Sequence, residues 1–324
     1  MTLGEFELID RYFRPLGLAA GRGDVVLGIG DDGAVLAVPD GQELVAVLDT
    51  LVAGNHFLPD ADPRSIAHRA LAVNLSDLAA MGAQPAWALL GLTLPEARVD
   101  FLIPLASGWR ELAMKHRVAL VGGDTTRGPL ALSVQLGGYV PRGTALRRAG
   151  GRAGDLLYVS GTIGDSGAGL ALLLGQLRSG SESAATLRRR HEYPTPRVAL
   201  GQALRGIATA CIDVSDGLVA DAARLARASR CGLTLDLAAL PLSPALRACV
   251  SIEQAREFAL HGGEDYELLF AVPPARAAEA EAAAAGLCEV ALIGRLDAAA
   301  GARVRDATRV VEIEPRGWDH FRQS

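Results

Sequence analysis

The chain has 324 residues, half of them apolar, with 37 glycines and a formal net charge of −5. That length allows two domains, the apolar share supports a sizeable core, and the acidic balance argues against tracking a nucleic-acid backbone, which needs a basic field. Lys115 is the sole lysine and follows no glycine-rich loop, so a lysine-tipped phosphate loop is excluded and any bound phosphate must rely on metals and arginines.

In chain order, Leu3, Phe6, Ile9 and Phe13 have helical spacing over residues 3–14. Short strands are expected at Val25–Ile29, Ala34–Val38 and Leu44–Leu48. Asp62-Pro63 offers an N-cap followed by a first-turn proline, opening a helix that should run to Gly82. Strands follow at 86–94, 118–121 and 130–140, with a helix near 98–116. The Arg- and Gly-rich stretch from Arg142 to Gly154 reads as the boundary between a domain over 1–148 and one over 149–324. Beyond it lie a strand at Leu156–Ser160, helices near 167–178, 196–206 and 218–229, and strands at Leu233–Leu237, Glu267–Val272 and Glu289–Leu296, with an Ala-rich helix ending near Gly286. The alternation is irregular, which points to α+β rather than a doubly wound sheet.

The N-terminus carries acids where a signal peptide needs bases, and no apolar run reaches the roughly 18 residues of a membrane span. Cys211, Cys231, Cys249 and Cys288 show no CxxC spacing and read as small core residues. A cytoplasmic protein is expected.

Five acidic motifs stand out: Gly30-Asp31-Asp32-Gly33, Asp49-Thr50, Asn74-Leu75-Ser76-Asp77, Gly122-Gly123-Asp124-Thr125-Thr126 and Asp213-Val214-Ser215-Asp216-Gly217. A single Asp-Gly is more often a turn or a helix cap than a ligand site. Asp49 and Asp77 resist that reading. Asp49 ends an apolar run, Asp77 lies in a helix apolar on most sides with Asn74 on its face, and few basic residues are near them in sequence. Carboxylates buried without bases are best explained by divalent cations, and an all-oxygen ligand set favours Mg²⁺. Gly122-Gly123 after a strand lets backbone approach a phosphate. Gly161–Gly167 fits either an anion loop or, more commonly, a helix-capping turn. His56 and Trp318 each admit a structural and a ligand-contacting role.

Together, Gly28-Ile29-Gly30-Asp31-Asp32, the stretch from Asp49 to Phe57 with Asn55-His56-Phe57, Ala72–Gly82, Gly122–Thr126, Asp213–Gly217 and Gly262-Gly263-Glu264-Asp265-Tyr266-Glu267-Leu268 resemble, in order and spacing, the motifs of the bacterial thiamine-monophosphate kinases. The likeness runs from Gly4-Glu5-Phe6 to Trp318-Asp319-His320-Phe321, nearly the whole chain. Part of it is shared with the wider aminoimidazole-ribonucleotide-synthetase-like superfamily. The resemblance implies an N-terminal domain whose mixed sheet forms a barrel across a homodimer, a C-terminal α+β domain, and an active site in the cleft between them. It implies Mg²⁺ ligands at Asp32, Asp49, Asp77, Asp124, Asp213 and Asp216, with Asp49, Asp77, Asp124 and Asp213 at the reacting phosphates. It also implies ATP contacts at Gly123, Asp124, Arg148 and Ser215, and thiamine-phosphate contacts at His56, Glu264 and Trp318. The family has Ser-Thr before the second aspartate, whereas this chain has Val47-Leu48, so Leu48 could offer a metal only its backbone carbonyl.

The expected reaction is Mg²⁺-assisted, direct in-line transfer from ATP to thiamine monophosphate, whose attacking phosphate oxygen needs no strong base. Alternatives are another ATP-dependent enzyme of the superfamily, a silent nucleotide- or thiamine-binding protein, and a metal-dependent phosphatase. A selenophosphate synthetase is disfavoured because no Cys precedes Cys211.

Overall fold

A computed structural model of the chain describes residues 5–17, 22–307 and 309–317. It divides into two units, Met1–Leu78 with Ala83–Gly143, and Ala79–Gly82 with Thr144–Ser324.

The first unit opens with α1 (Glu5–Leu8), continued by a π-helical turn at Ile9–Phe13 and a 3₁₀ turn at Arg14–Leu16. Strands β1 (Val25–Leu27) and β2 (Val35–Leu36) pair as a small antiparallel ribbon. Then come β3 (Gln42–Val52), α2 (Pro63–Ala80), β4 (Gln84–Leu94), α3 (Val99–His116), β5 (Ala119–Arg127) and β6 (Ala131–Pro141). The sheet order is β3-β6-β4-β5, with β4 and β5 parallel and the other two pairs antiparallel.

Helix α2 begins as the sequence suggests. The Asp62 carboxylate accepts the Arg64 N–H at 3.0 Å, and Pro63 takes the first helical position, where its missing N–H costs nothing. The helix gives way at Gly82, whose φ of +68° suits glycine. Between them Leu71, Leu75 and Leu78 are fully buried. A Cβ on Gly138 of β6 would lie 3.1 Å from Leu78, so the sheet receives this helix where a strand residue lacks a side chain. Gly108 of α3 lets that helix come close to α2, because a Cβ there would stand 2.2 Å from the Arg64 carbonyl oxygen.

The second unit contains β7 (Leu156–Ser160), α4 (Asp165–Leu173), α5 (Glu182–Glu192), α6 (Val198–Ala203), β8 (Ala210–Asp213), α7 (Leu218–Ala228) and β9 (Gly232–Asp236). It continues through α8 (Pro244–Cys249), α9 (Ile252–His261), β10 (Leu268–Val272), α10 (Ala277–Ala284), β11 (Val290–Asp297), β12 (Ala302–Arg305) and β13 (Val310–Glu312). Its seven strands lie in the order β13-β12-β9-β11-β7-β10-β8, with β12 and β9 parallel. Leu157, Val159, Ile212, Leu269 and Ile293 of the sheet join Leu218 and Leu225 of α7 in one buried core. The class is therefore α+β with mixed sheets, as the irregular alternation indicated.

The strands differ in length from their sequence signals. β3 extends past Leu48 to Val52, so Asp49 lies within the strand rather than at its end. β5 runs on through Gly122-Gly123-Asp124, where a loop was expected. Helix α4 stops at Leu173 rather than reaching 178. Helices α5, α8 and α9 and strands β8, β12 and β13 were not expected, although Ser181, Ser243-Pro244 and the Ser251–Gln254 capping box mark the three helix starts. Among the described residues, no helix is long and apolar enough to cross a membrane.

Candidate active site

Strand β3 alternates cleanly. Leu44, Ala46, Leu48 and Thr50 are exposed, while Val45 and Leu51 are buried and Val47 and Asp49 half-buried. Successive side chains point to opposite faces, so Asp49 stands on the covered face, where it shares a hydrogen bond with Asp77 of α2. Burial pushes the Asp49 carboxyl above its usual range, while that bond and the nearby His56 pull it back in part. Two carboxylates this close cannot both keep full charge unless a cation offsets them. The oxygen-only pair thus fits a hard divalent ion. Asn74 is fully buried and donates to the Ala70 carbonyl at 3.0 Å.

His56 lies just beyond β3. Its Nδ1 accepts the Val52 N–H at 3.1 Å, which leaves the proton on Nε2. Arg69 of α2, itself buried, donates to the His56 carbonyl at 3.2 Å and holds this turn.

Register places the remaining first-unit residues. Asp49 opposes Val134, which opposes Leu90, which opposes Gly123. The next row is Thr50, Ser133, Gly91 and Asp124, with Thr50 and Ser133 hydroxyls 2.8 Å apart. Asp124 is thus one residue out of phase with Asp49 and is exposed. Gly122, Gly123 and Asp124 line a cavity of about 710 Å³ with Gly30, Asp31 and Asp32, a size that suits a nucleotide. Only glycine fits at 123, where φ is +151° and a Cβ would lie 2.0 Å from the Leu90 carbonyl oxygen. Leu48 is 65% exposed on the open face of the edge strand. Among the described residues, no group of three or more His, Cys, Asp or Glu side chains is arranged to hold a metal ion.

In the second unit, Asp213 ends β8 opposite Leu268 and is buried. The turn after it is shaped by Asp221, whose carboxylate accepts the N–H groups of Ser215 at 3.0 Å and Asp216 at 2.9 Å. Asp216 is ion-paired with Arg224, which also donates to Asp221 at 2.6 Å. The Glu264 N–H donates to the Ser215 carbonyl at 2.7 Å, so two sequence motifs meet here. Glu264 and Tyr266 both hold positive φ, +56° and +52°, a costly conformation for residues with side chains. Arg148 is exposed. Trp318 lies outside the described residues.

Two acids of the Gly262–Leu268 motif turn inward. Asp265 accepts the N–H groups of Gly164 at 2.8 Å and Ser166 at 3.2 Å, at the N-terminus of α4. The Gly161–Gly167 stretch is therefore a capping turn whose N–H groups are already taken by the Asp265 carboxyl. Glu267 is fully buried and receives Arg197 through two 2.6 Å bonds, Arg190 at 2.9 Å and the Ser160 hydroxyl at 2.5 Å. Sequence reading missed the roles of Asp221, Asp265 and Glu267. Asp221 follows the glycine of the Asp216-Gly217 turn by four residues, and that was the signal available for the first of them.

Residues 30–145 match the family model described as AIR synthase related protein, N-terminal domain, and residues 152–307 match its C-terminal domain. This defines the class as a two-domain AIR-synthase-related protein. The chain is 48% identical over 325 residues to thiamine-monophosphate kinase of Escherichia coli strain K12, covering 99% of each. The crystal structure of thiamine-monophosphate kinase from Stenotrophomonas maltophilia K279a superposes with a TM-score of 0.86 at 44% identity, covering 94% of this chain and 97% of that one. AaThiL, solved in complex with AMPPCP and TMP, superposes with a TM-score of 0.78 at 34% identity, covering 99% of both. The chain belongs to the thiamine-monophosphate kinase family.

Proposed function

We propose that the chain transfers the γ-phosphoryl group of ATP to thiamine monophosphate, giving thiamine diphosphate and ADP. The observation that carries this reading is the pairing of Asp49 with Asp77 in a chain that matches these kinases from end to end. AMPPCP and TMP, the ligands of AaThiL, fit the same pair of substrates.

Asp32, Asp49, Asp77 and Asp124 of the first unit, with Asp213 and Asp216 of the second and the Leu48 carbonyl, are the proposed Mg²⁺ ligands. Mg²⁺ held there would supply charge neutralisation between two polyanions. Residues 1–148 are assigned nucleotide and metal binding together with dimerisation, and 149–324 the completion of the nucleotide and substrate sites. Gly123 lets the backbone come close to a phosphate, while Asp124, Ser215 and the Arg148 guanidinium contact ATP. The His56 Nε2–H is a donor for the substrate, Glu264 offers a carboxylate to the cationic thiazolium ring, and Trp318 offers a stacking face. The acceptor phosphate is already ionised at neutral pH, so the residues orient and hold it rather than take a proton from it.

The assembly is proposed as a homodimer in which a second copy closes the first unit's sheet into a barrel. Leu44, Ala46 and Leu48 leave an apolar strip exposed on edge strand β3, which suits burial against another copy. Sedimentation should give twice the chain mass, and Leu48→Glu should shift it toward monomer. A cytoplasmic setting fits both an ATP-dependent reaction and four free cysteines.

The deciding assay combines purified protein, ATP, Mg²⁺ and thiamine monophosphate, with thiamine diphosphate followed by chromatography. Stoichiometric ADP and thiamine diphosphate, abolished by EDTA, are expected. Hydrolysis of thiamine monophosphate without ATP, or nucleotide binding without product, would overturn the assignment.

A further inference from the structure

His191 sits in the last turn of α5, inside an arginine-rich stretch, yet its ring is 4% exposed. Its Nδ1 lies 3.1 Å from the Ser166 hydroxyl and 3.4 Å from the Glu264 carboxylate oxygen Oε2. Ser166 belongs to the first turn of α4, the turn whose N–H groups are held by Asp265. Adjacent residues of one segment are thus tied to two helices. Asp265 fixes the end of α4, and Glu264 reaches the last turn of α5.

The backbone sets up this division. Gly263, Glu264 and Tyr266 all hold left-handed φ values, of +66°, +56° and +52°. Such conformations in residues with side chains persist only where the surroundings over-determine them, and they gather at ligand-binding sites. The Glu264 side chain keeps 26% exposure while its Oε2 faces the buried imidazole. A Glu side chain with three rotatable bonds would otherwise sample many directions. A buried imidazole nitrogen 3.4 Å from Oε2, fixed by helix packing, restricts that freedom and leaves the carboxylate aimed one way.

We infer that His191 is a positioning residue that orients the Glu264 carboxylate for the cationic ring of the substrate. This rests on the reading of Glu264 as a contact to thiamine monophosphate. His191 itself touches no substrate in this scheme; it acts through Glu264.

The test uses the full-length enzyme and four variants. His191→Leu fills the space of the imidazole but offers no donor. His191→Asn places an amide N–H near the position of Nδ1. Glu264→Gln and the double variant Glu264→Gln/His191→Leu complete a cycle. KM for each substrate and the thermal midpoint are measured for all. His191→Leu should raise KM for thiamine monophosphate about tenfold and leave KM for ATP unchanged, the size expected for one charge-assisted hydrogen bond. His191→Asn should recover most of that rise, and the double variant should be no worse than Glu264→Gln alone. Should His191→Leu not fold, His191→Met takes its place. The inference alone is overturned if Glu264→Gln raises KM for thiamine monophosphate while the His191 variants do not. It is overturned too if the His191 variants raise both KM values in step with a lower thermal midpoint, or if the two effects simply add. If Glu264→Gln leaves KM unchanged, the substrate role of Glu264 falls and the inference with it.

Discussion

Asp265 makes the stability of the second unit depend on pH in the opposite sense from an ordinary carboxylate. Burial raises its carboxyl to about 8 from an ordinary value of 3.8, with Asp165 nearby adding to the rise and the two helix N–H bonds and Arg190 opposing it. Between those values the folded chain holds a proton that the unfolded chain has released. Stability therefore falls as pH rises through this window, at about 1.4 kcal/mol per pH unit, and the loss levels off above the folded value. From pH 6 to pH 8 this amounts to about 2 kcal/mol. Asp265→Asn cannot ionise, and its single amide oxygen can serve only one of the two N–H groups, at a cost of about 1 kcal/mol. Urea unfolding followed by circular dichroism at pH 6, 7 and 8 should thus find the variant more stable at all three, with its lead growing by about 2 kcal/mol from pH 6 to pH 8. Parallel profiles for the two proteins across that range would refute the reasoning.

Asp49→Asn and Asp77→Asn should each lower kcat by about 100-fold or more, by removing a proposed Mg²⁺ ligand, without lowering the thermal midpoint. Near-normal kcat in both would remove the metal assignment. Gly123→Ala should cost about 3 kcal/mol, because the new Cβ meets the Leu90 carbonyl in a left-handed backbone; Gly41→Ala, with φ +75° and open space around it, should cost about 1. Equal costs in denaturant titration would show that the clash relaxes freely. Glu267→Gln leaves two arginines facing a neutral amide in the interior and should destabilise by about 3–5 kcal/mol, read as a lower urea midpoint. A loss below about 1 kcal/mol would mean that water reaches the pair.

The long elements were legible because their signals were local. Asp62-Pro63 and Gly82 bracket α2 through a cap, a first-turn proline and a left-handed glycine. Asp49 and Asp77 were each legible as unusual because an acid in an apolar run demands a partner; that they meet each other is visible only in the fold. What escaped depended on distant residues. Helix α5 is mostly polar, started by the Ser181 side chain, and its His191 is buried only because α4 packs beside it. Strand β5 runs through two glycines, which local propensity disfavours, because β4 pairs with it from Leu89↔Gly122 onward, just past a register shift. The inward turn of Asp265 and Glu267 beside an outward Glu264 could not be read from GGEDYEL, since the sides are chosen by positive φ values rather than by strand alternation.

Arg224 gives the Ser215-Asp216 turn an independence that bears on the life of the enzyme. Asp216 has a positive neighbour built into the chain, and the two backbone N–H groups beside it close on Asp221. The turn takes its shape from amino acids alone, unlike a zinc finger, which unfolds when its ion leaves. This turn can form before any divalent ion is met. If Mg²⁺ binds at Asp216 as proposed, its loss would leave this turn folded and ready to take the ion up again.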